Sequence, residues 1–168
     1  MKKIKFLTAI FVVMAAFALA AAAQTSLVGL DGSRVDVQGQ RGKVVILALG
    51  ASWLPLSAKQ AEYANSLARK YAGRDVVVYF VSTDSILPKS KNYASNDDVK
   101  KFATANKLSV AILRDGDGVA TLKKFSIDQL PSFVILDKNG NKVGEAFGGI
   151  DPKYDVTVPI SRTVDSLL

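Results

Sequence analysis

The sequence predicts an α/β fold, a central mixed β-sheet with helices on both faces, and three observations carry that prediction. Two continuous apolar runs, Val44-Val45-Ile46-Leu47-Ala48-Leu49 and Val76-Val77-Val78-Tyr79-Phe80-Val81, have the composition of strands buried on both faces. Between them lies a segment with the period of an amphipathic helix. Toward either end of the chain, Asp31-Gly32 and Asp137-Lys138-Asn139-Gly140 separate short apolar pieces, as the turns of antiparallel hairpins do.

Taken in order, the chain opens with Met1-Lys2-Lys3-Ile4-Lys5, an apolar run over 6–23, and Ala21-Ala22-Ala23 before Gln24. This is the pattern of a secretory signal peptide over 1–23, followed by one domain over 24–168. At roughly 18 apolar residues the run is long enough to span a bilayer if left uncut, but its Ala-rich end and the neutral polar segment after it favour cleavage. No cysteine follows the cleavage site, which excludes a lipoprotein anchor. The expectation is an exported protein of a bacterial periplasm, with no membrane association after cleavage.

Next, 27–30 and 35–37 form a small hairpin around Asp31-Gly32. The strand at 43–49 leads to a helix in which Ala61, Ala64, Leu67, Ala68 and Tyr71 share one face, with Lys59, Glu62, Arg69 and Lys70 opposite and Gly73 as its stop. A strand over 75–82 closes the unit, and a helical crossover of this length makes the two strands parallel. The polar stretch 83–95, with Pro88, reads as an exposed loop. A second helix starts at Ser95 or Asn96, with Asp97 and Asp98 in its first turn, and runs to about Asn106. Residues 110–113 suit a short strand, Asp115-Gly116-Asp117-Gly118 a turn, and 119–125 a short helix. A hairpin pairs 132–136 with 142–147, and a terminal helix over 157–168 tolerates Pro159 in its first turn.

Composition removes several function classes. The 168 residues carry a net charge of +7, and the leader lysines Lys2, Lys3 and Lys5 account for three of those charges, which leaves a mild +4. The basic residues are interleaved with acids and form no stripe, so nucleic-acid binding has little support. There is no cysteine and no histidine, and both methionines, Met1 and Met14, lie in the leader. Copper, zinc, haem and iron–sulfur ligation lack their usual ligands, and no cofactor is expected. Asp115 and Asp117 hint at a calcium loop, but Val119 stands where a third oxygen ligand belongs, so a turn is the better reading.

Four segments give the chain a resemblance. Gly42-Lys43 followed by the apolar strand, Ala51-Ser52-Trp53, Leu130-Pro131-Ser132-Phe133-Val134-Ile135-Leu136-Asp137, and the turn Asp137-Lys138-Asn139-Gly140 together resemble the thioredoxin fold in its exported, TlpA/ResA-like or redoxin form. The helix and strand over 97–113 fit the insertion of that group. The resemblance implies a cis bond at Pro131 and places Leu54 and Ser57 at the two cysteines of the Cys-x-x-Cys motif. It also places Ala48 where many thioredoxins carry a buried carboxylate. A thiolate is the attacking group in disulfide exchange, so the degenerate motif Trp53-Leu54-Pro55-Leu56-Ser57 offers no catalytic residue for it.

Ser57 near a helix start, with no histidine to serve as base, reads as a cap or a solvated serine. Leu54 and Leu56 either form an exposed apolar patch with Trp53 or cover core left open by the lost thiols. In relatives the backbone before the cis-proline pairs with an extended peptide, a mode that needs no cysteine. The resulting expectation is a redox-inactive protein that binds a protein or peptide of the cell envelope through Trp53, Leu54, Leu56, Leu130 and Pro131. Two alternatives remain: a redox role of antioxidant or cytochrome-maturation type by resemblance, and a structural subunit of an envelope complex. The sequence leaves the oligomeric state open.

Overall fold

The computed structural model describes residues 26–116 and 118–168. The leader assigned to 1–23 lies outside the described residues. In chain order the elements are β1 (Ser26–Gly29), β2 (Arg34–Asp36), β3 (Val44–Gly50), α1 (Ser57–Lys70), β4 (Val76–Ser82), α2 (Asn96–Ala105), β5 (Ala111–Arg114), α3 (Ala120–Lys124), β6 (Ser132–Leu136), β7 (Phe147–Gly148) and α4 (Thr157–Asp165). The strands form one mixed sheet in the order β2-β1-β5-β4-β3-β6-β7. β3, β4 and β5 run parallel, and the outer pairings are antiparallel.

Every residue of β3 is buried, which is why its sequence is a continuous apolar run. Its alternation divides the core in two. Val44, Ile46 and Ala48 face a layer with Phe80, Phe133 and Ile135 of neighbouring strands and Ala64, Leu67 and Tyr71 of α1, closed by Ile160 and Val164 of α4. Val45, Leu47 and Leu49 face the opposite layer with Val81, Leu113, Val134 and Phe125, and Leu122 of α3 packs against it. Phe102 of α2 joins the first layer, its ring 5.6 Å from that of Phe80. With no cysteine in the chain, these two apolar layers and the strand pairing carry the fold.

The helix ends follow local chemistry. Gly73, at φ +77°, adopts the left-handed backbone that lets the chain leave α1. Ser95 caps α2 in a capping box: its hydroxyl oxygen accepts the Asp98 N–H at 3.1 Å, and the Asp98 carboxylate accepts the Ser95 N–H at 3.1 Å. At α3 the buried Asp115 carboxylate accepts the Thr121 N–H at 2.6 Å, so the 115–118 turn starts a helix.

Two expectations need correction. The second arm of the hairpin read over 142–147 is a strand only at Phe147–Gly148, plus an isolated bridge between Leu136 and Lys142, because the chain leaves the ladder through Gly144 at φ +62°. The segment 83–95 is not wholly exposed. Thr83, Asp84, Ser85 and Ala94 are buried, and the part over 86–93 turns to solvent.

Candidate functional site

Register sets the site. Gly50 pairs with Ser82, Ser82 pairs with Arg114, and Leu49 pairs with Ser132, so the ends of β3, β4 and β5 and the start of β6 lie in one row across the sheet. The degenerate motif leaves the sheet from this row. The Leu54 N–H donates to the Ala51 carbonyl at 3.1 Å and the Ser57 N–H to the Leu54 carbonyl at 3.0 Å, so 51–57 is a pair of tight turns feeding α1. The Leu130–Pro131 bond beside it is cis, as the resemblance implied.

The former motif presents two different surfaces. Trp53 is 54% exposed, Pro55 is exposed, and Leu54 and Leu56 are half-buried. Neither leucine belongs to the two core layers or to the residues packed against them, and neither is fully exposed. Ser57 is fully buried and is neither a cap nor solvated, because its Oγ turns inward to accept the Ala51 N–H at 3.3 Å. Leu130 is half-buried against the Leu49–Val81 layer, and Pro131 is buried, so Pro131 shapes the loop from beneath. Ala48 sits in the apolar layer with Phe80 and Phe133.

Two polar clusters flank this turn, and sequence reasoning missed both. On the β6 side, buried Gln60 donates through Nε2 to the Leu49 carbonyl at 3.0 Å and the Ser132 carbonyl at 2.7 Å. It thereby ties α1 to β3 and to the residue after Pro131. Gln60 Oε1 and Ser132 Oγ, both buried, find no hydrogen-bond partner. A Cβ at Gly50 would run into Gln60 Oε1 and Ser57 Oγ, so any larger residue there would displace these two buried side chains.

On the β4 side, fully buried Asp84 accepts the Ser52 N–H at 2.9 Å, the Ser52 hydroxyl at 3.0 Å and the Ser82 hydroxyl at 2.8 Å. Arg114, also buried, donates to the Asp84 carbonyl at 3.1 Å, the Ala94 carbonyl at 2.9 Å and Asn96 Oδ1 at 3.0 Å. Burial pulls its guanidinium below the ordinary value, and the Asp84 charge opposes that pull.

The sequence did hold signals for these groups. Gln60 lies on the buried stripe of α1, four residues before Ala64, and Arg114 ends an otherwise apolar strand beside a second charge, Asp115.

Chemically, the turn presents an apolar surface and carries no thiol, and its one hydroxyl–carboxylate pair is Ser52 on Asp84 at 3.0 Å. A groove of about 620 Å³ lies between α1, the end of α2 and the start of α4, lined by Lys59, Tyr63, Arg69, Lys107 and Asp155 among others, and none of the predicted binding residues lines it. Among the described residues no group of His, Cys, Asp or Glu is arranged to hold a metal ion, and no helix is long and apolar enough to cross a membrane.

Comparison with known proteins gives this geometry a lineage. The chain is 26% identical over 119 residues to the thiol-disulfide oxidoreductase ResA of Bacillus thuringiensis subsp. konkukian, covering 71% of this chain and 63% of that protein. The ResA of Bacillus anthracis is 24% identical over the same length. The chain thus spans less than two thirds of the length of these curated relatives.

Among solved structures, the pneumococcal exposed lipoprotein thioredoxin of Streptococcus pneumoniae superposes with a TM-score of 0.68 at 25% identity, over 86% of this chain and 100% of that one. A thiol-disulfide oxidoreductase of Bacteroides fragilis superposes with a TM-score of 0.66 at 18% identity, over 84% and 98%. The fold is thioredoxin-like, with the α2–β5 insertion of the TlpA/ResA type, and the Cys-x-x-Cys motif is absent. The Redoxin family model matches residues 16–162, and the chain belongs to the Redoxin family.

Proposed function

We propose that this is a redox-inactive thioredoxin-like protein of the periplasm that binds a protein or peptide through the surface of Trp53, Leu54, Leu56 and Leu130, with Pro131 shaping the loop beneath. The observation that carries this reading is the pairing of a retained scaffold with lost chemistry. Gln60 and Asp84 still anchor the 51–57 turn from both sides. Yet the two thiol positions hold a half-buried leucine and a buried serine. Exposed Trp53 beside half-exposed aliphatic residues has the composition of a recognition surface. The signal-peptide pattern supports export.

The test is partner capture by the mature protein and by its Leu54→Asp and Leu130→Asp variants. Both variants lose a partner that the native surface retains; equal capture by all three places the interface elsewhere.

A second reading is favoured by the names of the relatives, which are thiol-disulfide oxidoreductases. In it, a redox role persists with both cysteines supplied by a partner. Disulfide reduction measured on the purified chain, with and without candidate thiol proteins, separates the two.

A further inference from the structure

We infer that the groove between α1, the end of α2 and the start of α4 binds a short free peptide, a zwitterion of about three residues whose terminal carboxylate sits on Arg69 and Lys107 and whose terminal ammonium sits on Asp155. This goes beyond the preceding reading, since no residue of the former motif or of the Leu130–Pro131 loop lines the groove.

The two ends of the groove carry opposite charge. At one end the Tyr63 hydroxyl donates to the Tyr154 carbonyl at 3.1 Å, which brings Asp155 beside the first half of α1. Lys59, Glu62 and Asp155 are the charged groups there. Lys59 is bound to Glu62 at 2.6 Å, and that bond, with the Asp155 charge adding to it, holds the ammonium above its ordinary value. The Lys59–Glu62 pair balances itself and leaves the Asp155 charge over; Asp155 Oδ1 accepts the Thr157 N–H at 2.9 Å and the Thr157 hydroxyl at 2.7 Å. At the other end Asn65 Nδ2 donates to the Lys107 carbonyl at 2.9 Å, and Arg69 follows Asn65 by one helical turn. Glu62 and Asp155 are the acids that line the groove, so this end holds two cations alone. Among the described residues, neither the Arg69 guanidinium nor the Lys107 ammonium has an ion-pair or hydrogen-bond partner.

Spacing and volume set the ligand. Arg69 lies six residues beyond Tyr63 on α1, about 9 Å at the helical rise. Three residues in extended form span about 10 Å, which carries a carboxylate from one end to an ammonium at the other. A groove of about 620 Å³ has room for such a molecule. Exposed Ser66 lines the middle, one turn from both Glu62 and Arg69, and its hydroxyl offers a donor and an acceptor to a peptide amide. Arg69 presents a planar fork to the carboxylate and Lys107 a point charge beside it. A lone inorganic anion fits less well, because it answers one end of the groove and leaves Asp155 without a counterpart.

Calorimetric titration of the purified protein with trialanine, its C-terminal amide, its N-acetyl form and inorganic phosphate tests this. The expected result is saturable binding of trialanine that weakens with salt. The amide and the N-acetyl form each bind about tenfold more weakly, as for loss of one charged hydrogen bond. Arg69→Gln and Lys107→Gln each weaken trialanine by about the same factor, and together they abolish its advantage over the amide. Asp155→Asn abolishes its advantage over the N-acetyl form. Lys43→Gln, an exposed cation outside the groove, changes neither. No binding of trialanine, equal affinity for its amide or N-acetyl form, phosphate bound as tightly as trialanine, or native affinity in Arg69→Gln/Lys107→Gln overturns the proposal.

Discussion

The two polar clusters beside the 51–57 turn have the same task and opposite construction. Both fasten the turn to the row of strand ends, Gln60 from the β6 side and Asp84 from the β4 side. The β6 cluster is neutral and leaves two oxygens unpartnered, whereas the β4 cluster is charged, with Asp84 holding three donors from Ser52 and Ser82 and only Arg114 Nε left unpartnered. A buried charge network is costly to break because removing one member strands the others, while an orphaned neutral hydroxyl contributes little. The turn over 51–57 is thus held by Asp84 through Ser52 and, at one of the two thiol positions, by Ser57 through the Ala51 N–H.

The largest effect tests the charged cluster. Asp84→Ala leaves the Ser52 N–H and the Ser52 and Ser82 hydroxyls without their charged acceptor, while the Asp84 carbonyl that Arg114 bonds is kept, and should cost about 3–5 kcal/mol in urea denaturation. A cost near zero would show that the cluster does not hold the turn.

Gln60→Leu comes next. It removes the donor to the Leu49 and Ser132 carbonyls, and a loss of about 1–3 kcal/mol is expected from the same measurement. Ser132→Ala sharpens the contrast, since it deletes a buried hydroxyl that has no partner, and stability should move by no more than about 0.5 kcal/mol, in either direction.

The smallest effect lies away from the turn. The Ser95 hydroxyl and N–H lower the Asp98 carboxyl below its ordinary value, so the folded group binds its proton less readily than the unfolded one. Its contribution is present above the ordinary carboxylate range, near pH 4, and is lost as pH falls through the lower folded value. Asp98→Asn should flatten the fall in melting temperature on acidification, without changing Trp53 emission.

The sequence made the fold legible where burial is two-sided. The run at β3 announces itself because both of its faces are covered, and the stripe of α1 follows from its single apolar face. β7 was overread because apolar pieces over 142–147 do not reveal that Gly144 turns the chain out of the ladder. The degenerate motif was legible through its Ala51-Ser52-Trp53 frame. Its supports were not, because Asp84 follows a strand in a polar stretch and looks like loop until register sets Ser82 beside Gly50. Ser57 misled for the same reason: a serine at a helix start ordinarily caps, but here a backbone N–H from the preceding turn reaches it first.

The proposed function makes the turn over 51–57 a polypeptide-binding surface. The most direct measurement is site-specific photo-crosslinking in living cells, with Leu54→p-benzoylphenylalanine against Val158→p-benzoylphenylalanine, an exposed position on α4. Discrete protein adducts from position 54 that are absent from position 158 are expected. Identical adduct patterns from the two positions, or none from position 54, would contradict it.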